Sequence, residues 1–191
     1  LEFNGKRRIV VSGDLGGQVE LLVKPPLSPE RADTAIVEST YGGSVRQIPL
    51  PPYADFEEAL GNAARKNEPV VVISYTLDRT QRVLYLLRRA QTKGLVPEDW
   101  PVIMPSPSAR GATEIYDRLL SVFGAEYFAP SLVRFAGESG RAFEPKGLLY
   151  KDTEGVRGLF IVPAGLEFSK TGQRILSRLL RLPSAHVFSV G

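Results

Sequence analysis

The chain has 191 residues, of which 43% are hydrophobic and 24% charged, as in a soluble globular protein of one domain or one domain with a flanking piece. No run approaches the ~18–20 consecutive apolar residues of a membrane span, and the first residues lack signal-peptide features, so we expect a cytoplasmic protein. The absence of cysteine excludes disulfides and thiolate metal sites. With a net charge of only +3, charge alone favours solvated helix faces over a phosphate-binding surface.

The chain contains a single histidine, His186. Imidazole is the preferred nitrogen ligand of catalytic zinc, and most such sites use more than one. A self-contained zinc site is therefore not expected, and any metal chemistry must take ligands from another segment or chain. His186 itself precedes the last apolar run and is expected to be structural rather than a ligand.

Short apolar runs predict strands along the chain. The first two cover residues 8–12 and 35–38, and each ends near a carboxylate. Residues 70–75 are mostly β-branched, with no polar alternation, which is typical of a parallel strand covered on both faces. Three more strands are predicted at residues 102–104, 158–162 and 187–190.

Amphipathic stretches between these strands predict four helices. The first is expected to begin at Asp55 as its N-cap, and the second at Asp78, with Gln81 completing a capping box. Residues 112–123 carry a third apolar stripe, and a fourth helix is expected to begin near Thr171.

This alternation predicts an α/β fold: an open, mostly parallel sheet with helices on both faces. Residues 128–155 are rich in glycine, proline and charge. They are predicted to form a long connection that contains one edge strand, at residues 146–150.

An aspartate follows the first predicted strand. Asp14 is preceded by Gly13 and followed closely by Gly16 and Gly17, which allow a sharp turn. Ligands and metals in α/β folds gather at the carboxyl ends of strands, where an aspartate can bridge two metal ions. Aspartate beside glycine is also a common turn signal, and from this segment alone a turn or helix cap is favoured.

A glutamate ends the second predicted strand. Glu38 is followed by Ser39, Thr40, Tyr41 and two glycines. It could orient an imidazole or a proton-transfer partner, and the alternative is an N-cap or a loop salt bridge. Because each carboxylate ends a predicted neighbouring strand, Asp14 and Glu38 are expected to face one cleft.

Several segments, in this order and spacing, resemble a known family over nearly the whole chain. Residues 11–16, Val-Ser-Gly-Asp-Leu-Gly, look like the fourth metal-binding motif of metallo-β-lactamase-fold hydrolases. Residues 38–42, Glu-Ser-Thr-Tyr-Gly, look like motif A of the β-CASP subfamily, which includes ribonuclease J and the pre-mRNA cleavage and polyadenylation endonuclease. Residues 74–87, 104–109 and 161–166 are similar to its strand-to-helix, Asp-Ser-Pro-Met-Ala and Ser-Ser-Gly-Met segments.

The resemblance implies a division of the chain and a metal site. Residues 1–50 would be a piece of the metallo-β-lactamase core and residues 51–191 an incomplete β-CASP domain. Two zinc ions are expected in the complete protein, with Asp14 bridging both. Glu38 would hydrogen-bond a histidine from outside this chain.

The resemblance also implies partners. RNA, or single-stranded DNA, would be the substrate, with Arg79, Arg110 and Arg174 as candidate phosphate contacts. The rest of the metallo-β-lactamase domain is the second expected partner, and a homo- or heterodimer stays open. We therefore expect part of a zinc-dependent RNA-processing nuclease that is inactive as an isolated chain.

The chain departs from the family pattern at several positions. Asp78 replaces a glycine, Pro105 replaces an acidic residue, and residues 164–166 are Ala-Gly-Leu. These changes keep a non-catalytic β-CASP-like scaffold or RNA-binding subunit as the main alternative. A nucleotide-binding α/β domain outside the family is the third option. It fits less well because residues 21–29 after the first strand are proline-rich rather than helical.

Overall fold

The computed structural model describes residues 2–3, 7–15, 21–23, 27, 31–44, 53–123, 157–165, 168 and 170–190. The long connection predicted at residues 128–155, with its edge strand, lies outside these ranges. Within them, no helix combines the length and the apolar character that crossing a membrane requires.

The first sheet has three short strands. They are β1 (Glu2–Phe3), β2 (Arg7–Val11) and β3 (Thr34–Ile36), in that order across the sheet. β1 runs antiparallel to β2, whereas β2 and β3 are parallel, with Val10 opposite Ala35. The first two predicted strands are thus confirmed as neighbours, and both end at one edge of this sheet.

The second sheet has four parallel strands in the order β5-β6-β4-β7. Its strands are β4 (Pro69–Ser74), β5 (Val102–Ile103), β6 (Gly158–Pro163) and β7 (His186–Val190). β4 and β6 are central and almost wholly buried. Such strands are expected to be continuously apolar, because helices cover both faces of a parallel sheet.

Four helices accompany the second sheet. They are α1 (Ala54–Lys66), α2 (Arg79–Thr92), α3 (Pro107–Phe123) and α4 (Lys170–Leu179). α1 and α2 pack on one face, against Val70 and Val72. α4 packs on the other face, where Ile175 and Leu179 meet Phe160. The predicted open parallel sheet with helices on both faces is therefore confirmed.

The predicted helix caps are wrong in detail. The N-cap of α1 is Tyr53, and Asp55 lies in the first turn. Asp78 does occupy the N-cap position of α2, but its carboxylate accepts a 2.9 Å bond from Arg82 rather than capping a backbone N–H. Gln81 does not close a capping box because it is buried against α3, where it donates to Thr113 at 3.2 Å.

The buried face of α3 also differs from the predicted stripe. Ile115, Leu119 and Val122 are exposed, and the helix packs instead through a face that includes Tyr116 and Leu120. Both stripes have helical spacing, so periodicity alone could not select between them.

A short segment after β2 ties the first sheet to the helices. Leu21 and Leu22 are buried against Tyr85 and Leu86 of α2. Burial of these two leucines stabilises the attachment by roughly 1.5–3 kcal/mol per side chain. The turn that contains Asp14 therefore lies only a few residues before a point where the chain is attached to α2.

A buried carboxylate joins α1 to α2. Glu57 is 1% exposed, and its two oxygens accept bonds from Arg89 and Lys93. Burial opposes ionisation of Glu57, but the hydrogen bonds from Arg89 and Lys93 outweigh it and leave the pKa of Glu57 below its ordinary value. The group is satisfied on both oxygens, as a buried charge must be to be tolerated.

Candidate active site at the ends of β2 and β3

The loops that follow β2 and β3 are joined by backbone and side-chain hydrogen bonds. The Ser12 N–H donates to the Ile36 carbonyl at 2.9 Å, which extends the parallel pairing past the end of β2. The Ser12 hydroxyl oxygen in turn accepts a bond from the Glu38 N–H at 3.0 Å. Glu38 is thus positioned by a serine that directly precedes the Gly13-Asp14 turn.

The Glu38 carboxylate is held by backbone N–H groups. One oxygen, Oε2, accepts from the Thr40 N–H at 2.7 Å, and Oε1 lies 3.4 Å from the Leu15 N–H. The Thr40 N–H above all, with the Thr40 side chain and the Leu15 N–H, lowers the pKa of Glu38 below its ordinary value. Glu38 is therefore ionised at neutral pH. A carboxylate offers about four lone-pair positions, so it can still accept a further donor.

Asp14 lies on the same edge, at the tip of the turn. Gly13 has φ of 58°, a left-handed conformation that glycine adopts without steric cost. The side chain of Asp14 is exposed, and the next residue, Leu15, supplies the N–H that faces Glu38. The structure therefore brings the Asp14 and Glu38 segments together, as their positions in the sequence predict.

The described residues do not fit a complete zinc site. In that part of the chain, no group of three or more His, Cys, Asp or Glu side chains could hold a metal ion. Both oxygens of Glu38 face backbone N–H groups, which leaves Asp14 as the exposed carboxylate of this edge. A metal here needs ligands beyond the described residues.

The three arginines predicted to contact phosphate lie on α2, α3 and α4. Because these helices follow β4, β5 and β6, they begin at one edge of the second sheet, called here the carboxyl edge. Arg79 begins α2 and lines a pocket of about 310 Å³. Arg110 donates to the Met104 carbonyl at 3.1 Å. Arg174 is exposed on α4. Arg79 and Arg174 leave more of their donors for a ligand than Arg110 does.

His186 lies at the opposite edge of the second sheet. It begins β7, and its Nε2 is 2.8 Å from a carboxylate oxygen of Glu68, the residue before β4. The side chain is partly buried. This contact joins the starts of two neighbouring strands, which suits a structural role.

Two contributors to the Glu38 environment were not predicted. Ser12 and Thr40 were treated as flanking residues, whereas one fixes the Glu38 backbone and the other its carboxylate. A hydroxyl residue at a strand end, two residues from an acidic one, is the signal that could have drawn attention to both.

Comparison with known proteins shows a similarity to a ribonuclease. Over 158 residues, 82% of this chain, the sequence is 28% identical to Ribonuclease TTHA0252 of Thermus thermophilus. The match covers 35% of that protein, so this chain spans only about a third of its length. No protein-family model matches the chain.

Proposed function

We propose that the chain is part of a metal-dependent nuclease that cleaves phosphodiester bonds in RNA, of the metallo-β-lactamase-fold β-CASP class. The observation that carries this proposal is the similarity to a ribonuclease over 82% of the chain. Its support from geometry is the pair of carboxylate segments joined at the edge of β2 and β3. A nuclease needs to neutralise charge on a phosphate and to move a proton, and carboxylates of this kind serve both purposes.

The two carboxylates receive different roles in this proposal. Asp14, exposed at the tip of its turn, would be a zinc ligand, with companion ligands from outside the described residues. Bound zinc would lower the pKa of a water molecule and stabilise charge on the phosphate. Glu38, ionised and fixed by Thr40, uses its remaining lone pairs to orient a donor such as an imidazole supplied from elsewhere.

The arginines at the carboxyl edge supply phosphate binding. Arg79 and Arg174 have guanidinium groups available for charge-assisted bonds, and Arg110 keeps the donors not used on Met104. In this proposal the α/β domain from about residue 51 to residue 182 forms a lid over the metal site, and RNA lies between the lid and the core.

Substitution of Asp14 tests the proposal most directly. In the longer protein of which this chain is proposed to be a part, we expect Asp14→Asn to lower bound zinc and to abolish cleavage of a labelled single-stranded RNA, because a neutral amide is a poor zinc ligand. Zinc is measured by elemental analysis and cleavage by gel electrophoresis. Asp99→Asn is the matched control, since Asp99 is exposed in the loop between α2 and β5. Full zinc content and full cleavage in Asp14→Asn would contradict the role of Asp14.

A second candidate function is a non-catalytic RNA-binding or scaffold subunit. Asp78, which replaces a glycine of the family pattern, is paired with Arg82, and Pro105, which replaces an acidic residue, is buried. Neither is then available to a substrate. RNA binding by the natural protein without zinc and without cleavage would favour this candidate.

A further inference from the structure

The second sheet has a crevice at its carboxyl edge between β4 and β6. These strands are neighbours, yet β4 leads into α2 on one face and β6 leads into α4 on the other. Where adjacent strands lead to opposite faces, their loops part and leave an opening, and ligands of open α/β sheets bind there. The described residues that bound the crevice are 75–78 after β4 and, after β6, Ala164, Gly165 and Phe168.

An exposed aromatic ring stands on the first loop. The Tyr75 carbonyl accepts bonds from the Thr80 N–H at 3.1 Å and the Thr80 hydroxyl at 2.9 Å, and that hydroxyl also bonds Ser74 at 2.9 Å. The backbone of Tyr75 is therefore fixed, while its side chain is 57% exposed. A ring on a fixed backbone loses little conformational entropy when a ligand stacks on it.

A second exposed ring stands on the other loop. The Ala164 N–H donates to the Ser74 carbonyl at 2.7 Å, which holds this loop beside Tyr75. Phe168 then folds back over Gly165: its N–H donates to the Gly165 carbonyl at 3.0 Å, and its ring lies 3.6 Å from where a Cβ at Gly165 would be. Even so, Phe168 is 88% exposed.

The loop after β4 ends in two charged residues, Asp78 and Arg79. Asp78 is neutralised by its 2.9 Å pair with Arg82. Arg79, next in the chain, has no ion-pair or hydrogen-bond partner for its guanidinium in the part of the chain that the structure describes. Arg79 lies four residues after Tyr75 and lines a pocket with Asp55 and Val190, on the β7 side of β4. Exposed rings together with an arginine at the end of the same loop are the elements that single-stranded nucleic acid requires, because bases stack on rings and phosphates bind the cation.

We propose that Tyr75 and Phe168 form a base-stacking platform for single-stranded RNA at the β4–β6 crevice, with Arg79 binding a phosphate of the same strand. This inference rests on the proposed function for the class of substrate, and it adds the residues on which the bases stack. Stacking is tolerant of sequence, so the platform positions a strand without selecting a base.

Binding by the 191-residue chain is measured by fluorescence anisotropy with two labelled probes of equal length, oligoadenylate and an abasic ribose-phosphate strand. We expect the wild type to prefer oligoadenylate. Tyr75→Leu and Phe168→Leu, which keep apolar bulk but remove the ring, should each weaken oligoadenylate binding about tenfold and leave abasic binding unchanged. Tyr75→Phe should bind as the wild type does. Leu180→Ala, which shortens an exposed side chain just after α4, is the control and should change nothing.

Equal binding of both probes by the wild type, or unchanged oligoadenylate binding in both leucine variants, would overturn the platform. Phe168→Leu carries the test if Tyr75→Leu fails to fold by circular dichroism. This proposal and the nuclease proposal can fail independently, because this experiment measures binding and not cleavage. If the longer protein still cleaves RNA and binds it with undiminished affinity after both rings are removed, the nuclease proposal stands and the stacking platform is contradicted.

Discussion

Two of the parallel strand pairs of this molecule, β4–β6 and β2–β3, are similar in sequence and opposite in surroundings. β4 and β6 lie between α1 and α2 on one side and α4 on the other, and almost every side chain is buried. In β2 and β3, the register partners Val11 and Ile36 are each 58% exposed. Apolar β-branched residues therefore formed strands in both places, but only one pair is covered by this chain's own described elements.

Because of this difference, the stability of the fold and the candidate chemistry depend on different regions of the molecule. The second sheet and its helices hold the large clusters of buried side chains, whereas Asp14 and Glu38 follow the less covered pair. The candidate site depends on local hydrogen bonds, such as Ser12 with Glu38, and on the nearby anchor of Leu21 and Leu22. Substitutions should then act on stability in one region and on activity in the other.

The largest expected effect is in the covered sheet. Phe160 is completely buried at the centre of β6, so Phe160→Ala should lower the free energy of unfolding by about 3–5 kcal/mol through lost burial and a cavity. Ile36→Ala, in the exposed pair, should cost less than about 1 kcal/mol. Urea unfolding followed by circular dichroism measures both, and equal losses would erase the contrast between the two sheets.

A smaller effect is expected where α1 meets α2. Glu57→Gln leaves Arg89 and Lys93 without their carboxylate and should cost about 1–3 kcal/mol at pH 7, below the full value of a buried pair because both cations are partly exposed. The lowered pKa of Glu57 means that its contribution is present above the ordinary value of 4.5 and disappears as pH falls through the lower folded-state pKa.

The Glu57→Gln variant should therefore lose less stability than the wild type on acidification from pH 5 to about pH 2. Glu58→Gln, an exposed neighbour on α1, is the matched control and should follow the wild type within about 0.5 kcal/mol. If the wild type and Glu57→Gln lose the same free energy of unfolding on acidification, Glu57 is not the source of the pH dependence of stability.

The smallest effect belongs to the lone histidine. His186 and Glu68 form a partly exposed pair at 2.8 Å, so His186→Gln should change the free energy of unfolding by less than about 1 kcal/mol. Zinc content and RNA cleavage of the natural protein should stay unchanged. Loss of zinc in this variant would make His186 a ligand and would contradict its placement at the edge opposite the helix starts.

Much of the fold was predictable from sequence because its signals are local. The apolar runs of β4 and β6 and the helical stripe of α2 each specify an element, and their alternation specifies a parallel sheet. The capping box at Asp78 was predicted wrongly, since Arg82 and Thr113 compete for the two side chains that would close it. Such competition arises only when helices pack, and no local pattern records it.

The sequence by itself determined the α/β class and the placement of Asp14 and Glu38 at the ends of neighbouring strands, because hydrophobic period and chain order suffice for these. The tertiary structure alone decided that Ser12 holds the Glu38 backbone, that α3 packs Tyr116 rather than Ile115 against the cluster of Leu21 and Leu22, and that Tyr75 and Phe168 flank one crevice. These depend on contacts between residues distant in the chain, whose geometry is fixed only once the sheets and helices have packed.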